Sequence, residues 1–340
     1  PRPELFGKLA GIFAYPVTVV QAGAGYGKTT AVAQCLHSGR VAACWYTPGP
    51  EDASPYVFSS YLAGALSSFL PGLKERFEAS LGHGGISGWE SVLSALLFSL
   101  EEEGAKKAGE DCVLVVDDWH LMEKERDVAA LFDRFLACKP RWLHLAVLSR
   151  EKVDLPEVSR LGARGEMLLV EEKDLAFSAA EVSDYLARVS GGRVTAEDAG
   201  SIYRYSEGWV IALKLIAKVY KGPGFSLEAL ENGNLDALFD FLAREVLARQ
   251  EAEMQSFLLK SSILDYISPA ACAAVMGAEF TPQMVYRAAA KGLFLSRLGD
   301  QLFRFHYLFR SFLRREARKR LPDWETLQCR AGYFYLQEGR

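Results

Sequence analysis

The stretch "VVQAGAGYGKTTAVAQ", residues 19–34, constrains the fold of this chain more than any other. It places three glycines within five residues and follows them at once with Lys28, Thr29 and Thr30. Glycine adopts backbone angles with φ > 0 and lets a ligand approach the main chain closely. The apolar run before the glycines predicts a buried strand, and the apolar spacing after them predicts a helix. A strand, a glycine loop and a helix in this order predict a phosphate-binding loop.

The residue types of this loop suit the phosphate chain of a nucleotide, because main-chain N–H groups and a helix N-terminus attract an anion. Lys28 is predicted to reach the β- and γ-phosphates, and the Thr29 hydroxyl group is predicted to bind Mg²⁺. Ala22 stands where the motif usually has its first glycine, which alanine can replace if its φ is negative. The alternative is a tight turn that merely ends in Gly-Lys-Thr. The predicted nucleotide-binding residues of the loop are Ala24, Gly25, Tyr26, Gly27, Lys28, Thr29 and Thr30.

Two later strands also end in charged residues. The apolar run in "CVLVVDDWH" ends in Asp117 and Asp118, and "WLHLAVLSR" ends in Arg150. Because α/β sheets bind ligands at the carboxyl ends of their strands, Asp117 is predicted to hold Mg²⁺, directly or through water. Asp118 is predicted to orient or deprotonate an attacking water, and Arg150 to offset charge beside the γ-phosphate. The alternatives are solvated aspartates at a strand end and a surface arginine.

Strands and helices alternate up to about residue 174, which predicts a parallel five-stranded α/β sheet with helices on both faces. This first domain is predicted over residues 1–174. The predicted strands are Val17–Val20, Val41–Tyr46, Cys112–Asp117, Trp142–Ser149 and Met167–Val170.

The pattern then becomes helical. Ser178 and Glu181 form a capping box that predicts the start of a helix. A small helical domain is predicted over 175–225, and "KGPGFS" at 221–226 is interpreted as a linker. Helices, beginning with one over 235–249, and then the hairpin pattern "LFLSRLGDQLFRFH" predict a winged-helix domain over 226–320. Residues 321–340 are predicted to start a further helical unit.

Composition narrows the class of protein. The net charge of −4 argues against general affinity for nucleic acid. Six cysteines without C-x-x-C pairs indicate reduced thiols in the cytoplasm instead of disulfides or zinc ligands. No apolar run approaches transmembrane length, so no membrane partner is expected. The start at Pro1, without a signal-peptide pattern, indicates a piece of a longer cytoplasmic protein.

Five motifs occur in one order, namely the loop at 22–30, "VVDDWHL", "LSR", "SEGWVIALKLIA" and "FRFHYLFRSFL". Together they resemble the nucleotide-binding module of the MalT-like regulators, LuxR-type large ATP-binding proteins of the STAND class of signalling NTPases. The resemblance covers nearly the whole chain. It implies an ATPase domain with strand order 5-1-4-3-2, a helical domain and a winged helix. It also implies that residues 321–340 are the start of a truncated helical-repeat sensor, and that the inducer site and a C-terminal DNA-binding domain lie outside this chain.

The same resemblance implies further nucleotide-binding residues. Arg2 and Pro3 resemble the segment that lines the adenine. The turn Gly208-Trp209 resembles a motif that closes over the nucleotide, although related families carry a proline two positions after that glycine. His306 corresponds to a winged-helix histidine that touches the β-phosphate of ADP. The alternative for His306 is a core histidine satisfied by a backbone carbonyl, and for Trp209 a core residue that packs two helices.

The function implied by the resemblance is an ATP/ADP-dependent switch in signal transduction and transcription regulation. ADP is expected to hold a resting state, and ATP to drive self-association when a small-molecule inducer reaches the sensor. Slow ATP hydrolysis would reset the switch, which makes the chain a weak ATPase. ATP is preferred over GTP because the sequence lacks the Asn-Lys-x-Asp motif that reads guanine.

Two other functions compete with this one. A DNA-binding module could act through its winged helix, since residues 310–320 hold six Arg and Lys against one Glu. We expect instead that these charges form a solvated helix face and that this fragment does not bind nucleic acid directly. A metabolic kinase has no support, because no substrate-pocket pattern follows the ATPase layer.

Overall fold

The computed structural model describes residues 2–81, 88–107, 109–190, 194–220 and 235–338. The chain divides into two compact units: Pro1–Ala22 with Gly27–Leu175, and Gly23–Tyr26 with Ala176–Arg340. Four residues of the glycine loop are thus grouped with the second unit. The predicted divisions at residues 225 and 320 stay predictions, and the predicted linker at 221–226 lies outside the described residues.

A parallel five-stranded sheet forms the centre of the first unit, as predicted. Its order, β2-β3-β4-β1-β5, is the order implied by the family resemblance. All four pairings are parallel, so helices must connect the strands. The strands are β1 (Val17–Gln21), β2 (Ala43–Tyr46), β3 (Cys112–Val116), β4 (Leu143–Ser149) and β5 (Met167–Glu171). The helices are α1 (Pro3–Leu9), α2 (Lys28–Ser38), α3 (Pro55–Leu66), α4 (Leu73–Ser80), α5 (Trp89–Gly104), α6 (Arg126–Cys138), α7 (Pro156–Arg164) and α8 (Glu172–Leu175).

The core of the first unit explains the apolar strands of the sequence. Every residue of β3 and β4 is buried, because both strands lie inside the sheet with helices over its faces. The prediction that β4 begins at Trp142 is wrong by one residue. The Trp142 indole instead covers Gly104, where even a Cβ atom would lie 2.7 Å from the ring.

The parallel register brings the functional strand ends to one edge of the sheet. Gln21, the last residue of β1, pairs with Ser149 of β4 and with Glu171 of β5. Val116, the last residue of β3, pairs with Val147 of β4. The segments that follow β1, β3, β4 and β5 therefore start side by side, which is where such sheets bind ligands.

Helices and one hairpin make up the second unit. The predicted capping box is confirmed, since Glu181 N–H donates to Ser178 Oγ and Ser178 N–H donates to the Glu181 carboxylate. The helix predicted around 235–249 has two parts, an α-helix that ends at Leu242 and a π-helical turn, Ala243–Leu247, that continues it. The helices are α9 (Ala179–Ser190), α10 (Ala196–Ser206), α11 (Val210–Val219), α12 (Asp236–Leu242), α13 (Ala252–Ser261), α14 (Pro269–Met276), α15 (Pro282–Ala290), α16 (Tyr307–Arg320) and α17 (Trp324–Gln337).

The hairpin has the pairing expected of a winged helix. Antiparallel strands β6 (Leu295–Gly299) and β7 (Leu302–Phe305) form it, and Ile267 adds a bridge to Phe303. Helix α16 follows directly, and its apolar stripe, Leu308, Phe309, Phe312 and Leu313, is buried as predicted. Within the described ranges, no helix is both long enough and apolar enough to span a bilayer.

Candidate nucleotide-binding site

The glycine loop has the backbone shape that its sequence predicts. Gly25 and Gly27 have φ of +78° and +80°, which L side chains adopt only with strain. Helix α2 begins directly after Gly27, so Lys28, Thr29 and Thr30 form its first turn. Ala22 is not among the described residues with positive φ, which explains why alanine can replace a glycine there.

Lys28 is buried at the first position of α2. Its Nζ donates to the carbonyl oxygen of Ala22 across 2.8 Å. Burial lowers the pKa of Lys28 to about 8, and the nearby Arg150 acts in the same direction, whereas carboxylates, Asp118 foremost, oppose the shift. A phosphate group beside Nζ would favour the charged amine, because an opposite charge stabilises the protonated form.

The two predicted magnesium ligands are in direct contact. Thr29 Oγ1 donates to Asp117 Oδ2 across 2.6 Å, and the N–H group of Asp118 donates to Asp117 Oδ1 across 2.9 Å. Burial raises the pKa of Asp117, although the bond from Thr29 opposes this. No cluster of three or more His, Cys, Asp and Glu side chains in the described part of the chain could hold a metal. Thr29 and Asp117 supply a hydroxyl and a carboxylate oxygen, which are ligands that Mg²⁺ prefers, and these two side chains would hold the ion here.

Asp118 and Arg150, the predicted catalytic pair, follow β3 and β4. Arg150 Nε lies 3.4 Å from Asp118 Oδ1, and the side chains are 27% and 28% exposed, respectively. Asp118 has φ of +54°, a strained value for a residue with a side chain. Such strain is concentrated at functional sites. The partial exposure of both groups leaves them accessible to a ligand at this edge of the sheet.

Arg2 contacts the C-terminal end of α8, which is the last helix of the first unit. Its guanidinium group donates to the carbonyl oxygens of Leu175, at 2.8 Å, and Asp174, at 3.3 Å. Pro3 is the first residue of α1, where its fixed φ suits a helix start. The segment is thus fixed by backbone contacts, and its contact with adenine stays a prediction.

Gly208 and Trp209 connect α10 to α11 in the second unit. Gly208 has φ of +76°, and a Cβ atom there would lie 2.3 Å from the carbonyl oxygen of Phe177, so only glycine fits. Trp209 is fully buried, and its Nε1 donates to the carbonyl oxygen of Ala24 across 3.0 Å. The tryptophan thus contacts the glycine loop, whereas the resemblance implies closure over the nucleotide, which stays a prediction.

His306 is a buried residue with both ring nitrogens bonded to backbone groups. Nε2 lies 2.8 Å from the Ser206 carbonyl oxygen, and Nδ1 accepts from the N–H group of Leu308 across 3.2 Å. Only a neutral ring with its proton on Nε2 can make both bonds. Burial lowers the pKa of His306, in agreement with a neutral ring. The contact with ADP stays a prediction that requires Nε2 to leave Ser206.

Two residues near the site were missed in the sequence. Glu172 directly follows β5 and raises the pKa of Lys28 electrostatically. The rule that strand ends carry function could have found it. His120 Nδ1 lies 3.8 Å from Asp118 Oδ1 because a 3₁₀ turn, Trp119–Leu121, folds it back. No sequence pattern indicated that turn.

Residues 243–325 match the family model of the MalT winged helix domain. Over 330 residues the chain is 30% identical to the HTH-type transcriptional regulator MalT of Serratia proteamaculans. The alignment covers 95% of this chain and 35% of that relative. The resemblance to the MalT-like regulators is confirmed. This MalT-like chain is equally similar to a relative of a different kind, the serine/threonine-protein kinase PknK of Mycobacterium tuberculosis.

The identity to that kinase is 30% over 330 residues, covering 94% of this chain and 29% of the kinase. The chain therefore spans about a third of the length of the curated relatives it matches. Among solved structures, a Walker-type ATPase of Pyrococcus abyssi aligns with 92% of this chain and 95% of its own, at a TM-score of 0.60 and 14% identity. That likeness supports the fold: a P-loop NTPase sheet followed by helical and winged-helix parts.

Proposed function

We propose that this chain is the ATP/ADP-binding switch module of a MalT-like transcriptional regulator of the STAND class. The observation that carries the proposal is the contact between Thr29 and Asp117 beside the buried amine of Lys28. The lysine and the aspartate are each held in surroundings that disfavour their charged form. A Mg²⁺–nucleotide complex supplies the missing charges, an anion for Lys28 and a cation for Asp117.

Hydrolysis in this proposal is slow and serves to reset the switch. Asp118 orients or deprotonates the attacking water, and Arg150 offsets charge on the γ-phosphate. Their pairing at 3.4 Å supports a shared role, because a guanidinium group bound to the transferred phosphate would draw Asp118 toward the attacking water. Mg²⁺, when held by Thr29 and Asp117, would neutralise the negative charge that develops on the phosphate groups.

The resting state in this proposal contains ADP, and ATP promotes self-association. His306 is the residue assigned to ADP, and its contact would require the bond to Ser206 to be exchanged for one to a phosphate oxygen. An almost complete switch needs states that differ in nucleotide preference by roughly 5 kcal/mol.

The output of the whole protein belongs to the parts beyond this chain. Relatives of comparable similarity are named a transcriptional regulator and a protein kinase. Because both kinds of relative contain a region similar to this chain, we infer that the region acts as a switch whatever output domain it is joined to. We assign this chain to transcription because its winged helix matches the MalT family model. The sensor, the small-molecule inducer, the LuxR-type DNA reader and a cytoplasmic location follow from that assignment.

The alternative, a DNA-binding module, rests on the basic residues of α16. Arg310 and Arg314 both donate to the carbonyl oxygen of Ser262, just beyond the end of α13. Cations at a helix C-terminus are stabilising, so these charges already have a structural role. This observation favours the switch over the alternative.

The direct test has two steps. The protein is denatured and its co-purifying nucleotide identified by chromatography; an adenine nucleotide is expected. The mass of the nucleotide-exchanged protein is then measured by light scattering with Mg²⁺–ADP and with Mg²⁺–ATP. A larger mass with ATP alone supports the switch, whereas identical masses and no bound nucleotide would refute it.

A further inference from the structure

The loop segment 23–26 is held by two hydrogen bonds from the start of α11. Trp209 Nε1 donates to the Ala24 carbonyl oxygen across 3.0 Å, and the Ile211 N–H group donates to the Gly25 carbonyl oxygen across 3.2 Å. Both donors lie in one short stretch of chain, at the N-cap and second residue of α11. The loop carbonyls are therefore fixed from outside the loop.

These bonds also fix the N–H groups that a phosphate would bind. In a planar trans peptide the C=O and N–H groups point in opposite directions. Holding the Ala24 carbonyl therefore sets the direction of the Gly25 N–H group, and holding the Gly25 carbonyl sets that of Tyr26. Gly25 lies so close to the donors that a Cβ atom there would be 2.7 Å from Ile211 Cγ2 and 3.0 Å from Trp209 Nε1, so no larger residue fits without a shift.

Trp209 also contacts the two residues that flank the hairpin, Phe294 before β6 and His306 after β7. Its ring lies edge-on to Phe294, with centroids 4.8 Å apart, and to His306, at 5.4 Å. Tyr26, from the loop itself, stacks with Phe294 at 6.2 Å. Phe294 has a strained φ of +54°, and its carbonyl oxygen accepts from the His306 N–H group. One buried aromatic group thus joins the loop to the histidine.

We infer that Trp209 is a positioning residue for nucleotide phosphates, and that through its ring it couples the state of the loop to His306. This inference rests on the proposed nucleotide-binding function and extends it. A phosphate that binds the Gly25 N–H group favours the orientation in which the Ala24 carbonyl oxygen accepts from the indole N–H, because both groups belong to one peptide. The strengthened bond holds the indole ring against Phe294 and His306, which it contacts.

The test compares Trp209→Phe, which retains an aromatic ring but removes the indole N–H, with Trp324→Phe. Trp324 is the matched control, because it lies in α17 and stacks with Arg318. Calorimetric titration with Mg²⁺–ADP and Mg²⁺–ATP is expected to show about tenfold weaker binding of both nucleotides for Trp209→Phe. Trp324→Phe is expected to bind like the wild type. Unchanged binding by a folded Trp209→Phe would overturn the inference.

A spectroscopic measurement on the wild type keeps the test independent of the variant's folding. The indole N–H resonances are assigned by single Trp→Phe replacements or by elimination. The Trp209 resonance is expected to shift on saturation with Mg²⁺–ADP, and a merely structural tryptophan would not respond. An unchanged resonance at saturation would overturn the inference while leaving the proposed function intact. Failure of the wild type to bind either nucleotide would refute both.

Discussion

Thr29 Oγ1 donates a hydrogen bond to Asp117 Oδ2 across 2.6 Å and so joins the first turn of α2 to the carboxyl end of β3. The two side chains come from residues 88 positions apart in the sequence. Hydroxyl and carboxylate oxygens are ligands that Mg²⁺ prefers. The contact therefore brings together the two residues that are predicted to bind Mg²⁺. Substitutions can separate their role from that of the neighbouring Asp118.

Asp117→Ala is expected to weaken Mg²⁺-dependent nucleotide affinity at least about tenfold, because a direct or water-mediated metal ligand is lost. Asp118→Asn is expected to leave affinity unchanged and to slow hydrolysis about a hundredfold or more, because it lacks a base for the water. Calorimetry with and without EDTA, and a phosphate-release assay, measure the two effects. Identical behaviour of the two variants would contradict the division of roles.

The parts of this site that follow one another along the chain could be predicted from the sequence. The glycine loop, the strand ends at Asp117 and Arg150, and the strand order are properties of local pattern or family resemblance. A backbone carbonyl was one of the two alternatives for His306, but neither its partner Ser206 nor the bond of Arg2 to Leu175 was visible, because each bond joins residues 100 or more positions apart. Tertiary contacts of this kind have no local signal.

Substitution of His306 is expected to change the preference of the protein for ADP over ATP. His306→Ala is expected to weaken ADP more than ATP, by roughly 1–3 kcal/mol, and to increase self-association with ATP. His306→Asn is the matched variant, since it retains an acceptor for the Leu308 N–H group and keeps the cap of α16. Competition titrations with both nucleotides measure the selectivity. Equal losses for ADP and ATP would assign His306 to packing alone.

The neutral state of His306 predicts a pH dependence of stability. Burial holds its pKa below the value of about 6.5 expected in the unfolded chain. The unfolded state therefore binds the proton first, so the contribution of His306 is complete above pH 6.5 and declines as the pH falls below it. The decline reaches at most about 1.4 kcal/mol per pH unit.

The thermal midpoints of the wild type and of His306→Asn are measured between about pH 7.5 and pH 5.5. The effect of His306 is the difference between the two proteins in how far the midpoint falls. The wild type should lose more stability than the variant on acidification. Parallel plots of thermal midpoint against pH for the two proteins would show that folding does not lower the pKa of His306.

The basic side of α16 is expected not to bind DNA. Arg314 donates to the carbonyl oxygens of Ser262 and Ile263, and Arg315 pairs with Asp236. A titration with duplex DNA should therefore show weak binding without sequence preference. Tight, sequence-dependent binding with a steep salt dependence would contradict this, above all if Arg318→Ala and Lys319→Ala each reduced the slope by about one.

The loop beginning at residue 22 is proposed to bind nucleotide phosphates through Lys28. The decisive measurement is a calorimetric titration of Lys28→Ala with Mg²⁺–ADP and Mg²⁺–ATP. Lys139→Ala is the matched control, because burial also lowers the pKa of Lys139 to about 8 although this residue follows α6. We predict a loss of about a hundredfold or more for both nucleotides in Lys28→Ala, and wild-type affinity in Lys139→Ala. Unchanged affinity in a folded Lys28→Ala protein would show that this loop does not bind nucleotide phosphates through Lys28.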